Sequence, residues 1–364
     1  MDEKYPFYIK SPMILLGLIL TAFILSELQD ILIPLSLAVL ISMILNPLVN
    51  KLQNWGFPNL LSIFIAMLIG TIAFLGILYF LSTQINSFSD DLPELKKKFA
   101  ELSTYVHKSL HDKFGISMQR QDQWMQEFQT DVKPLIGKLM GSMLGTLAIT
   151  ILLPVYTSLL LFYKKLILNF LFEVFEESKA GSISDVLHKT KVAVQNYMIG
   201  LLIEGVIVAT LNTIALLVLG VKYAILLGVI GAIVNVLPFI GGVLAIIFPV
   251  IIATITKDGI QTQILIIASY MIIQFIDNHI LIPFIVSSKV KINALLSIVV
   301  VLFGGALWGI AGMFLAIPFV GVLKIIFDRI EELKPYGKLL GDEIPVYHKG
   351  QVLKRRLKKI ISKK

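Results

Sequence analysis

Long apolar runs separated by short polar connections set the pattern of this chain. By hydropathy, candidate spans fall near 12–28, 31–49, 60–83, 139–163 and 192–220, then at 223–237 and 240–256, 260–286 and 292–324. Crossing the hydrocarbon of a bilayer takes about 20 apolar residues in a helix. No Asp, Glu, Lys or Arg occurs from Tyr223 to Thr256 or from Ile292 to Leu323, so each stretch holds one long span or two short ones. The first is interrupted by "LPFIGG". Pro238 lacks a backbone donor, and Gly241 and Gly242 lower helix propensity, so the run is expected to break into a hairpin or a discontinuous helix. If both halves cross, "LPFIGG" lies on the cytoplasmic side.

Charge in the short connections sets the orientation. Lys51, Lys164, Lys165, Lys179, Lys189, Lys191, Lys289 and Lys291 lie between spans, and the positive-inside rule assigns them to the cytoplasm. With a cytoplasmic N-terminus, residue 221 falls outside, 257–259 fall outside, and Lys289 returns inside. A single crossing at 292–324 would then put the basic C-terminal tail outside. Gly304, Gly305, Gly309 and Gly312 in the middle of that run instead predict a re-entrant or hairpin pair, which returns the tail to the cytoplasm. Met13 to Leu25 could be the apolar core of a signal peptide, but no small-residue cleavage pattern follows, so an uncleaved first span is expected.

The polar stretches between these runs divide the chain. Three spans over 1–83 precede an extracytoplasmic insert at 84–138. There Leu95, Phe99, Leu102, Val106 and Leu110 recur at helical spacing, and "QRQDQWMQEFQTDVKPLIGKL" offers a second amphipathic helix. This insert is expected to be a helical hairpin packed on the membrane surface or on another subunit, or to bind a ligand of its own. Residues 139–191 supply the fourth span and a cytoplasmic interfacial helix with a turn at Gly181 and a cap at Ser184. A membrane core at 192–327 and a basic cytoplasmic tail at 328–364 complete the order. In the tail Leu353, Leu357, Ile360 and Ile361 share a face opposite Lys and Arg.

Composition narrows the class. The chain of 364 residues is 56% hydrophobic and 15% charged, where a soluble domain carries about 25% charged residues. An all-α, polytopic helical membrane protein with about eight transmembrane segments, some broken or re-entrant, is therefore expected. The net charge of +8 equals the eight Lys and Arg between Lys349 and Lys364, a stretch with no acid, so it points to a tail held at an anionic leaflet or simply left in the cytoplasm rather than to a nucleic acid. The absence of cysteine removes disulfides, thiolate metal sites and cysteine nucleophiles. No His-Glu-x-x-His zinc helix, phosphate-binding Gly-rich Lys-Ser/Thr loop or Gly-x-Ser-x-Gly elbow is present, so neither an enzyme nor a bound metal or cofactor is indicated. Without a nucleotide site, active transport would draw on an ion gradient or on a partner.

Polar residues at membrane depth are the candidate chemistry. A charged side chain at the bilayer centre costs about 2.5 to 3.5 kcal/mol on insertion scales, and such residues ordinarily mark ion or substrate paths. "SYMIIQFIDNHILIPFIVSS" carries Asp277, Asn278 and His279, and helical spacing places Gln274 on one edge with Asp277 and Asn278. Either this edge serves an ion or substrate, or it is a hydrogen-bonded structural clamp. Glu204 lies well inside 192–220, and Asn196, Glu204 and Asn212, each eight apart, drift only slowly around the helix. They form one polar stripe, open to transport or to plain interhelical hydrogen bonding. Asn235, just ahead of "LPFIGG", is placed on the same path. The Gly-Gly breaks in "VNVLPFIGGVLAIIFPV" and "LFGGALWGIAGMFLAIPFV" either line a substrate path or serve close helix packing.

"NVLPFIGG" and "QFIDNHILIPFIVSSKVKINALLSIVVVLFGGALWGIAGMFLAIP", in this order after three spans and a soluble insert, resemble the autoinducer-2 exporter family of bacterial permeases. The positions that match are Pro238, Gly241 and Gly242, then Asp277, Asn278 and Pro283, and finally Gly304, Gly305, Gly309, Gly312 and Pro318. The resemblance implies an inner-membrane location and export of small molecules such as autoinducer-2, with sodium or proton antiport in some members. A secondary permease with Asp277, Asn278 and Glu204 as ion-exchanging groups is the leading expectation. A sodium or lithium/proton antiporter without organic substrate and a non-transporting membrane scaffold are its rivals. The bilayer, a small solute, H+ or Na+, and further copies of the chain in a homo-oligomer are the expected partners.

Overall fold

The computed structural model describes residues 6–91, 93, 97–98, 152–174, 180–237, 241–257, 259–286, 292–331 and 333–342. The proposed helices of the insert beyond Asp91, the fourth span before Leu152, Pro238 and the amphipathic tail lie outside them. Among the described residues the chain is helical, and its one isolated β-bridge joins Ile292 to Gly341. Five helices are long and apolar enough to cross a membrane, six if one bent pair counts as a span, and three shorter apolar helices accompany them.

The N-terminal trio follows the hydropathy. Helix α1 (Phe7–Glu27) passes through Leu28 into α2 (Gln29–Asn54), and α3 is Asn59–Asp90. With 32 residues α3 is about 48 Å long, more than the roughly 30 Å of hydrocarbon, so it tilts or projects beyond the bilayer. Large apolar side chains of α1 such as Met13, Leu18 and Phe23 stay exposed on the isolated chain, as a helix facing acyl chains requires. After the insert, α4 (Leu152–Phe162) turns by 63° at Tyr163 into α5 (Lys164–Val174). Val49, Ile63, Ala66 and Leu161 pack α2, α3 and α4 together, and Lys164 donates to Asn46 Oδ1 at 2.8 Å.

One helix organises the rest. Helix α6 (Ala180–Val218) has 39 residues and is continuous, so Gly181 and Ser184 lie within it and are not the turn and cap that the sequence suggested. The polar segment in front of residue 192 extends the span instead of ending it, because Asp185 is held by Lys189 and by Arg329 from the end of the chain's last long helix. Against α6 pack α7 (Ala224–Asn235) and α9 (Gln261–Ile276), and α8 (Gly241–Thr256) packs on these two. They share a core of Leu216, Val221, Ala224, Leu227, Ala245, Ile252, Ala253, Ile266 and Tyr270. Helix α9 continues into a π-helical stretch, Asp277–Val286, that contains Pro283.

Helix α7 ends just ahead of "LPFIGG", whose residues 238–240 lie outside the described ones. The 12 residues of α7 extend about 18 Å, short of a full crossing. At its far end Asn235 bonds to side chains from the interior of α6 and from the start of the π-helical stretch. The end of α7 thus lies inside the bundle, and Gly241 at the start of α8 stands against it. The final helix, α10 (Ala294–Arg329), is broken at Trp308 and Gly309, where φ is −130° and +59°. A straight helix would hold Gly304 and Gly312 about 12 Å apart. Here a Cβ built on Gly304 would come within 2.9 Å of the Gly312 carbonyl carbon, so the chain reverses between them. Asn293 at the start of α10 bonds to Leu339 and Gly341 at the end of α11 (Lys334–Leu340), which puts both ends of this hairpin on one face of the molecule.

Candidate functional site

The end of α7 meets α6 and the α9 to π-helix junction at a cluster of polar side chains. Asn235 Nδ2 donates to Asp277 Oδ2 at 2.9 Å and to Glu204 Oε1 at 3.2 Å, so one amide bridges two carboxylates. Gln274 Nε2 stands 3.4 Å from both Asp277 Oδ2 and Asn278 Oδ1. Glu204 is 4% exposed and Asp277 1%, and among the described residues neither has a Lys, Arg or His partner in an ion pair. Asp277 Oδ1 is buried and has no hydrogen-bond partner among them.

Local structure explains the placement. The helix break lets the chain reverse at depth and brings the backbone close: a Cβ on Gly241 would overlap the backbone of Val234 and Asn235, and one on Gly242 would overlap the Gln274 side chain. Both glycines are needed for the end of α7 to reach the carboxylates. The change to π geometry at Asp277 falls where the chain leaves the regular helix, and π turns concentrate at functional sites. Pro283 lies within that stretch and removes one backbone donor from it.

Not every residue singled out from the sequence joins this cluster. Asn278 is exposed, and His279 stacks on Phe275 with ring centroids 4.2 Å apart, away from the carboxylates. Asn196 is half-buried. Asn212 is buried farther along α6 and stands across Gly231 from Tyr270. Gly304, Gly312 and Pro318 of the α10 hairpin line a different feature, an apolar cavity of about 460 Å³. Leu40, Val194 and Trp308 also line it, and it lies between α10 and helices α1, α2 and α6. Gly305 packs on Met313, and Gly309 supplies the positive φ of the reversal.

Sequence reasoning missed Tyr270 and Gln263, both buried on the inner face of α9 with an unpaired polar atom. Their signal was available, since they precede Asp277 by seven and fourteen residues, two and four turns along one helical face.

Comparison with known proteins agrees with this architecture. The family model described as AI-2E family transporter matches residues 13–332. The AI-2 transport protein TqsA of Escherichia coli is 24% identical over 86% of this chain and 90% of its own length. YrrI of Bacillus subtilis is 26% identical over 82% of this chain and 86% of its own, and YueF of the same organism is 24% identical over 82% and 84%. Matched over most of its length and built of apolar helices able to span a bilayer, the chain is a membrane transporter that belongs to the AI-2E transporter family.

Proposed function

We propose that the chain is a secondary permease that exports a small polar solute across the bacterial inner membrane in exchange for a cation bound at Glu204 and Asp277. The observation that carries this reading is the single Asn235 amide shared by two buried carboxylates that have no cationic partner among the described residues. Two carboxylates so close resist being ionised together without a counter-charge. A proton or a sodium ion supplies that charge, and its arrival and departure alter the contacts that hold the end of α7. Glu204, Asn235, Asp277 and Gln274 form the exchange site. Asn278, more exposed, extends it toward the solute path, and Gly241 and Gly242 let the end of α7 close over it.

Orientation follows from charge. Asp185 pairs with Arg329, so the start of α6 and the end of α10 share one face. Lys165, Lys189 and Lys191 support a cytoplasmic orientation of that face by the positive-inside rule, and we put both termini on the same side. The solute class is taken from the relative named an AI-2 transport protein. The exposed apolar faces of α1 and α3 are divided between lipid and further copies of the chain in a homo-oligomer.

The test is efflux of autoinducer-2 from loaded proteoliposomes under an imposed proton or sodium gradient. Efflux accelerated by one of the gradients is expected. Efflux indifferent to both removes the exchange reading, and ion exchange without autoinducer-2 movement turns the chain into a cation antiporter.

A further inference from the structure

Buried polar atoms without partners are costly, about 1–3 kcal/mol each, so their positions carry information. Six such side-chain atoms occur among the described residues; besides Asn46 Nδ2 on α2 and Thr190 Oγ1 near the start of α6, they are Asp277 Oδ1, Tyr270 OH, Asn212 Oδ1 and Gln263 Oε1. Their side chains are 1%, 4%, 2% and 8% exposed. Tyr270 precedes Asp277 by seven residues on α9 and Gln263 precedes Tyr270 by seven more, so the three stand on one helical face at intervals of about 10.5 Å. On α6, Asn212 lies eight residues, about 12 Å, beyond Glu204, which brings it level with Tyr270. A Cβ on Gly231 would stand 3.2 Å from Asn212 Nδ2 and 3.7 Å from the Tyr270 hydroxyl, so both groups border the same bare stretch of α7.

The geometry points to a hydrated proton path, which we propose runs from Gln263 past Tyr270 and Asn212 to Asp277 and Glu204. It rests on the exchange site of the preceding section and names the route and the side from which a proton arrives. Gaps of about 10 Å exceed any direct transfer, so water in groups of two or three, each reaching about 2.8 Å, links the rungs. Tyr270 accepts a proton from water on its outer side as its own hydroxyl proton passes inward, so the phenol ends unchanged and the proton ends on Asp277 Oδ1. Gln274, beside Asp277, is the polar group flanking the last gap. Lys257 lies beside Gly220, and Lys222 pairs with Asp91 at 3.7 Å, so the mouth of the path is at the face opposite Asp185 and Arg329. Between Gln263 and Tyr270 stands Ile266, fully buried and apolar. Ile266 narrows this outer gap, so water bridges it only intermittently and the path does not leak continuously.

The test needs no substrate. In lipid-reconstituted protein, infrared spectroscopy follows the buried carboxylic C=O band, identified by its loss in Asp277→Asn, and the rate of its downshift after a switch to D2O reports proton access. Tyr270→Phe and Gly231→Ala are expected to keep the band and slow its exchange by about tenfold or more, in the range by which removing a proton-transfer group slows transfer. Ile266→Ser is expected to speed exchange. Unchanged rates in both Tyr270→Phe and Gly231→Ala overturn the path while leaving the exchange site intact. A wild-type protein with no such band overturns the proton-binding site itself, and the path with it.

Discussion

At the scale of the residue, Asn235 holds the centre of the site. Its amide offers one nitrogen to two carboxylates from different elements. Asn235→Leu leaves Glu204 and Asp277 buried without that donor, and the variant is expected to lose about 1–3 kcal/mol of stability. Asn235→Asp adds a third acid in the same place and should be worse. Thermal unfolding in detergent, followed by intrinsic fluorescence, ranks the two against wild type. The same scale governs the glycines of α10. A Cβ on Gly312 would meet the Gly304 carbonyl carbon at 2.7 Å and Trp308 Cβ at 2.9 Å, so Gly312→Ala must part the arms of the hairpin. Overpacking of this kind costs about 1–3 kcal/mol, whereas Gly17→Ala, with open space around it, should leave the melting temperature unchanged.

Among the elements, the two interrupted helices differ in what they position. The end of α7 presents Asn235 to the carboxylates, while the α10 hairpin presents Trp308, which donates from its indole nitrogen to the Leu25 carbonyl at 2.8 Å. That bond ties the reversal of α10 to the end of α1. Trp308→Phe keeps most of the apolar contact and removes the donor. Its expected cost is about 1 kcal/mol, read as a lower melting temperature with transport retained. The contrast was only half legible in the sequence. Pro238, Gly241 and Gly242 announced a break, and four glycines announced another, because both act through local backbone physics. How deep each break lies depends on helix length between turns: 12 residues in α7 cannot cross, and hydropathy alone does not separate a short span from a re-entrant arm. The continuity of α6 through Gly181 and Ser184 was hidden for a related reason. Local propensity favours a turn there, and the tertiary pairing of Asp185 with Arg329 supports the helix.

For the whole molecule, the contacts sort the chain ends of the helices onto two faces. Asp91, Lys222, Tyr223 and Lys257 belong to one, with Tyr223 donating to Asp91 at 2.5 Å. Asp185, Asn293, Arg329 and Leu339 belong to the other. The natural lack of cysteine makes this directly testable. In intact cells, a membrane-impermeant maleimide is expected to label Lys222→Cys and to spare Lys189→Cys until the membrane is opened. The opposite order would invert the assigned orientation. The hairpin in α10 was expected from its glycines, and Asp277, Glu204 and Gln274 were recognisable as polar residues within apolar runs. Asn235 was placed on the same path, but the sharing of its one amide between both carboxylates was not recognisable, since it depends on the packing of three elements separated by many tens of residues.

The most direct measurement is paired recording of autoinducer-2 efflux and internal pH in proteoliposomes of wild type, Asp277→Asn and Glu204→Gln. Proton movement accompanying efflux in wild type, lost in Asp277→Asn and weakened in Glu204→Gln with folded protein retained, is the expected result. Proton movement of wild-type size in Asp277→Asn would contradict the assignment of the carboxylate pair as the exchange site.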